Sequence, residues 1–380
     1  MDSKKVSFDN DFSLIFAPGN HKHTYGFKYE NFENDILISQ VHYEVDVKCI
    51  NTYKGFFEIK RHQVFVDNKV PQLKIEQIAE KAAAAIFPLE VEIKKNGEIE
   101  TILNHAEIVA RWKALKDDFL IFEKGEVIVN VLNKINRFFL NPLLLKKALM
   151  QNWFLHLYFM PLYGSYSEKL KRKFICESPI FPNQPIKFGV VQTVGENYLP
   201  TDKIQINFNG IAIDERTLEE VLDGYTFSQS QFDDEKPESL AASMILDYQL
   251  YKENRSIFSV NGMYEIITGE NKKRKIELEI YHLPDTVSYR PATDEQRKTL
   301  EKIFFYEGED DEDEGSDIID FRVLAREAEQ RRRLNPESEV VKSTREKIEL
   351  FVEEIPTKEK ISLRKRIEGF FIKVKSIFKI

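Results

Sequence analysis

Two cysteines, Cys49 and Cys176, are all that 380 residues contain, and they lie far apart in the chain. Neither a disulfide framework nor a four-thiolate zinc site can be built from them, and such sparse use of cysteine fits a reducing cytoplasm. The short motifs that nominate an enzyme are missing too. There is no glycine-rich phosphate loop, no G-x-S-x-G elbow, no H-E-x-x-H pair and no C-x-x-C pair. Active sites are often assembled from scattered residues, so these absences remove the direct arguments for catalysis without excluding it. No secretion signal is read either, because "MDSKKVSFDNDFSLIFAPG" sets aspartates where a signal peptide needs an unbroken apolar core.

Long apolar runs are scarce. The longest uncharged stretch, Ala148 to Ser167, is of bilayer-spanning length but carries Gln151, Asn152, His156, Pro161 and Gly164. A buried core helix is the expectation there. With 42% hydrophobic and 31% charged residues the chain has an ordinary globular composition and enough length for a sizeable core.

Charge is unevenly placed. Glu307 to Asp317, "EGEDDEDEGSD", holds eight acidic residues and no basic one, which matches the net charge of −8 and leaves the rest formally neutral. From Phe321 onward there are sixteen basic and ten acidic side chains. The acidic run reads as a solvated linker, because like charges and two glycines offer too little apolar area to offset chain entropy. Its spacing lacks the alternation and closing glutamate of a calcium loop.

The pattern upstream is mainly β. "VHYEVDVKC" alternates, with Val41, Tyr43, Val45, Val47 and Cys49 on one side. In "FPLEVEIKKNGEIETILN" a three-residue loop, Lys95-Asn96-Gly97 with Gly97 left-handed, pairs Ile93 with Ile99, Val91 with Thr101 and Leu89 with Leu103. A capping-box pattern at Asn104 and Glu107 then opens a helix carrying Ile108, Trp112, Leu115 and Phe119. Asn141-Pro142 starts another, expected to run to Met160 and to be buried all round. "IQINFNGIAI" reads as a second hairpin across Asn209-Gly210, with "RTLEEVLDG" as a short helix after it. Leu240 to Leu283 reads as an antiparallel meander, and Thr293 and Gln296 cap a last helix before the acidic run.

The expected class is therefore α+β, with antiparallel sheets (hairpins and a meander) and intervening helices. The regions expected are 1–165, 166–306, an acidic linker 307–320 and a basic helical docking module 321–380.

Histidines offer little chemistry by spacing alone. His21 and His23 share a strand face and could ligate a metal, but no third ligand is identifiable, and a solvated loop is the plainer reading. His62 and His156 stand singly, and His156 reads as a satisfied interior group. No cofactor or metal is called for. Arg331 to Arg333 and Arg364 to Arg366 could track phosphates, yet ten acidic residues are interleaved with the tail's basic ones, so a nucleic acid is disfavoured.

The closing segment is the most informative. Leu363, Ile367, Phe370, Phe371, Val374, Ile377 and Phe378 recur at helical steps, and Arg364, Lys365, Arg366, Lys373 and Lys375 flank them. The leading expectation is a non-enzymatic cytoplasmic scaffold or adaptor that docks on a protein assembly through these residues. Two alternatives stand beside it. One is a carrier whose curved sheets enclose an apolar or lipid-like ligand with the 142–160 helix as plug. The other is peripheral binding of the basic helix to an anionic inner membrane face.

Overall fold

The computed structural model describes residues 4–9, 12–71, 74–122, 126–181, 184–229, 239–269 and 272–283. The acidic run, the helix expected after Thr293 and every tail residue nominated for partner contact, from Leu363 to Phe378, lie outside the described residues.

The elements follow in chain order. A short β1 (Ser13–Leu14) precedes two long strands, β2 (Lys22–Glu33) and β3 (Ile36–Asn51), then β4 (Phe56–Arg61) and β5 (Phe65–Val66). After α1 (Lys74–Ala84) come β6 (Leu89–Ile93) and β7 (Ile99–Ile102). Four helices follow: α2 (His105–Phe122), α3 (Glu126–Leu140), α4 (Pro142–Leu149) and α5 (Trp153–Tyr158). β8 (Gly164–Ser165) leads to β9 (Lys171–Phe181), β10 (Gln184–Val194), β11 (Lys203–Ala212), α6 (Leu218–Leu222), β12 (Ala242–Tyr251), β13 (Ile257–Gly269) and β14 (Lys272–Leu283). The described chain is thus mostly antiparallel sheet with a few helices.

Twelve strands join in one sheet of order β7-β6-β4-β3-β2-β14-β13-β12-β11-β10-β9, with β5 attached to β3. The pairing of β2 with β14 makes residues from both halves of the chain neighbours in it. Strict alternation produces the buried face. One row crosses seven strands through Tyr43, Phe27, Ile280, Val260, Tyr248, Ile206 and Val194, each opposite the next and each buried.

α5 packs on the buried face of that sheet, and all six of its residues are buried. Trp153 packs on Tyr264 and Phe154 on Phe27, at ring separations of 4.9 and 6.0 Å. Burying side chains of this size contributes about 1.5–3 kcal/mol each before entropy. The last turn of a helix leaves carbonyls without partners, and here the Tyr248 phenol donates to Leu157 O at 2.9 Å. Tyr25 donates to Ile257 O at 3.0 Å. Burial pushes the phenols of both tyrosines well above their ordinary range.

Several expectations need correction. The helix from Pro142 to Met160 is two helices, because Met150 ends α4 and the Asn152 side chain accepts from Leu155 N to start α5 in a new direction. The expected cap at Asn141 is present and accepts from the amides of Leu143 and Leu144. Asn209-Gly210 is not a turn. β11 runs straight through it, paired on both sides. Gly210 is needed for close approach, since a Cβ there would lie 2.5 Å from Met244 Cγ.

The Asn96-Gly97 loop has the expected length, with Lys94 N donating to Glu98 O and Gly97 at φ +100°. Ile93 pairs with Ile99, but an irregularity just before Ile93 shifts the remainder, so Val91 faces Ile102 rather than Thr101. Asn104 begins α2 yet spends its side chain on β6, accepting from Glu90 N and donating to Pro88 O. The meander and the short helix α6 form as expected, and a capping box at Thr217, not foreseen in the sequence, starts α6. No helix among the described residues is long and apolar enough to cross a membrane.

Candidate functional site

The two edges of the sheet line a common gap. On one side, Asn96 O in the β6–β7 turn accepts from Tyr163 N, and the bare Cα of Gly97 lets Tyr163 and Met160 approach: a Cβ there would stand 2.9 Å from Tyr163 Cδ2. On the other side, Arg172 of the edge strand β9 donates to the carbonyls of Pro161 and Tyr163 and to Gln192 Oε1 of β10. Gln192, fully buried, returns bonds to Leu162 O and the Tyr166 hydroxyl. The segment from 160 to 166 therefore straps one edge to the other with side-chain and loop contacts instead of a strand ladder.

Beside this strap lies a cleft of about 440 Å³. α4 contributes Leu143, Lys146 and Lys147, the bend after it Met150 and Gln151, and α5 with its exit His156, Phe159, Met160 and Pro161. The opposite wall is β9, through Phe174, Ile175, Cys176, Glu177 and Pro179, with Pro185 beyond. Apolar groups dominate. Phe159 and Met160 are buried at the floor, with His156 and Gln151 the buried polar side chains.

The charges at the rim are unequally satisfied. Glu98 accepts from Lys94 and Asn96, and Glu177 sits opposite Lys187 across the β9–β10 ladder. Lys146 Nζ donates to Glu100 O at 2.6 Å, while Lys147 is exposed. Burial, with the Glu177 carboxylate adding to it, pushes the Cys176 thiol up to about 12. A thiol held neutral at physiological pH is a poor nucleophile.

A buried ion pair anchors the wall that β9 and β10 form. Arg216 meets Asp214 at 2.6 Å and also donates to Gln184 Oε1, Pro185 O and Tyr225 O. Burial alone would raise the Asp214 carboxyl, but the hydrogen bonds from Arg216 outweigh it and hold the group below its usual range.

The histidines flagged by spacing end up in four environments. His23 enters β2 and lies 3.0 Å, ring nitrogen to ring nitrogen, from His282 of β14, whose other nitrogen is 2.6 Å from the Tyr251 hydroxyl. His282 was invisible to spacing because β14 is nearly the whole described chain away from β2. His21 is exposed, and His62 sits 3.1 Å from Asp46. His156 is buried at the cleft floor against Trp153. Among the described residues no three His, Cys, Asp or Glu side chains are grouped to hold a metal. The cleft itself was missed in the sequence, although the expected plug helix borders it.

No protein-family model and no curated protein sequence matches this chain. Among solved structures, one described as "lipid-protein interactions in lipovitellin" matches over 70% of this chain and 25% of that one, with a TM-score of 0.40 and 9% identity. The chain thus spans a quarter of that structure's length, and a likeness of this size carries no functional argument.

Proposed function

We propose that this chain is a non-catalytic carrier that holds a single-chain apolar molecule in the cleft beside α5. The observation that carries the reading is the cleft's lining: about 440 Å³ with Met150, Phe159, Met160, Phe174 and Pro179 among its apolar walls, and Glu98, Lys146, Lys147, Gln151, His156 and Glu177 as its polar positions. Ligand pockets are typically ~300–1,000 Å³, mostly apolar, with a few polar groups that orient the guest. The packing of α5 on the buried face of the sheet supports the same reading from another direction. The expected plug takes the interior for itself, so a guest has the gap between the sheet edges, where side chains rather than ladder hydrogen bonds must part to admit it.

The test uses the full chain and palmitate. Isothermal titration is expected to give saturable binding, and Met150→Trp, which adds bulk at the cleft from a half-buried position at the edge of the core, is expected to weaken it at least tenfold with the thermal midpoint retained. Absence of palmitate binding, or unchanged affinity in Met150→Trp, would remove the reading.

A second reading rests on the tail sequence. The stretch from Ile361 to Ile380 has six basic residues against Glu368 and a helical stripe of three phenylalanines. We propose docking of that stripe on a protein groove, in a cytoplasmic scaffold or adaptor role. Phe371→Asp with Phe378→Asp is expected to abolish association with a partner captured by the full chain, and retention of that partner would count against it.

A further inference from the structure

The corner between α3 and α4 is an apolar projection on a basic ground. Asn141 alone separates the two helices, and around it Leu140, Leu143 and Leu144 are 50%, 77% and 40% exposed. One turn back on α3 are the exposed Arg137 and, a further turn back, Lys134. One turn forward on α4 is the exposed Lys147. Residues three and four apart share a helix face, so these cations flank the leucines instead of pointing elsewhere. Between Glu126 and Leu149 there are four basic residues and one acidic residue, and the acid is at the far end of α3. Of the acids on the neighbouring β6–β7 hairpin, Glu98 is taken up by Lys94 and Asn96.

We propose that this corner docks on an anionic lipid bilayer. Its shape decides between occupants. A protein groove is matched by a long apolar stripe, whereas three leucines on a sharp bend, ringed by Lys and Arg, match an interface where apolar groups enter the acyl boundary and cations stay among headgroups. Continuity with the cleft points the same way, because Leu143 and Lys147 belong both to the corner and to the cleft rim. The inference extends the carrier reading: a guest with an acyl chain would pass between bilayer and cleft across this rim.

Flotation of the full chain with phosphatidylglycerol vesicles, against phosphatidylcholine vesicles, reads the docking directly. Binding to the anionic vesicles is expected. Leu140→Asp with Leu144→Asp, neither lining the cleft, is expected to reduce it at least tenfold while circular dichroism is unchanged. Lys134→Gln with Arg137→Gln is expected to reduce it about fivefold per charge and to make no difference on neutral vesicles. Because the basic tail could also reach lipid, Phe371→Asp with Phe378→Asp is run in parallel. No vesicle binding, or binding lost in the tail variant and unchanged in the corner variant, overturns the proposal. Palmitate affinity of the Leu140/Leu144 variant in solution separates the two ideas: if it is wild-type while flotation is lost, both stand. If palmitate never binds and flotation behaves as expected, docking stands without the carrier.

Discussion

Replacing Arg216 by methionine removes a guanidinium that makes contacts with Asp214, Gln184, Pro185 and Tyr225, while keeping much of the side-chain volume. The pair is deeply enclosed, with side-chain exposures of 8% for Arg216 and 5% for Asp214. Removing one partner of such a pair leaves the other charge buried, which costs about 3–5 kcal/mol. Against a typical total of ~5–15 kcal/mol this is a large fraction. With a urea m-value of about 3 kcal/mol/M, the midpoint should fall by roughly 1 M or more. The effect has a defined pH dependence. The folded Asp214 carboxyl is held below its ordinary range, so its contribution is present above the unfolded value of about 3.9 and disappears as pH falls through the lower folded value. The gap between wild type and Arg216→Met should therefore be full at neutral pH and narrow in acid. Asp214→Asn in the Arg216→Met background should recover part of the loss at neutral pH. A cost under about 1 kcal/mol, in the range of exposed pairs, or a gap that does not change with pH, would refute the reasoning.

Two other positions give independent tests. Gly97→Val forces a β-branched residue into φ +100° and sets a Cβ 2.9 Å from the Tyr163 ring, so it should cost about 1–3 kcal/mol in a urea melt; a neutral substitution would mean that the strap does not fix this loop. The Cys176 thiol, pushed up to about 12, should react with iodoacetamide far more slowly than free cysteine at neutral pH and faster as pH rises. Fast modification of Cys176, mapped by mass spectrometry, would contradict a thiol held neutral in the half-buried wall of the cleft.

Much of the sheet was legible because period-two alternation is a local signal. Met244, Leu246, Tyr248 and Leu250 announce β12, and Tyr43 to Cys49 announce the buried half of β3. What misled was local chemistry with two meanings. Asn-Gly marks a turn at Asn96-Gly97, where Gly97 needs positive φ, and mid-strand close packing at Asn209-Gly210, where Met244 takes the space. An apolar run likewise could not reveal that Asn152 would restart the helix and turn it into the sheet. The cleft was illegible for a further reason. Its walls come from α4, α5 and β9, and bonds from Arg172 and Gln192 to the 161–166 segment help bring them together. The tail was the sequence's strongest docking signal, and it lies outside the described residues.

The central claim is that a single-chain apolar guest lies in the cleft between α4, α5 and β9. Photo-crosslinking of the full chain with a diazirine analogue of palmitate, followed by peptide mapping, tests it most directly. Adducts are expected on Met150, Phe159, Met160 or Phe174, and excess palmitate should remove them. Adducts scattered over the outer face of the sheet, or unaffected by palmitate, would contradict it.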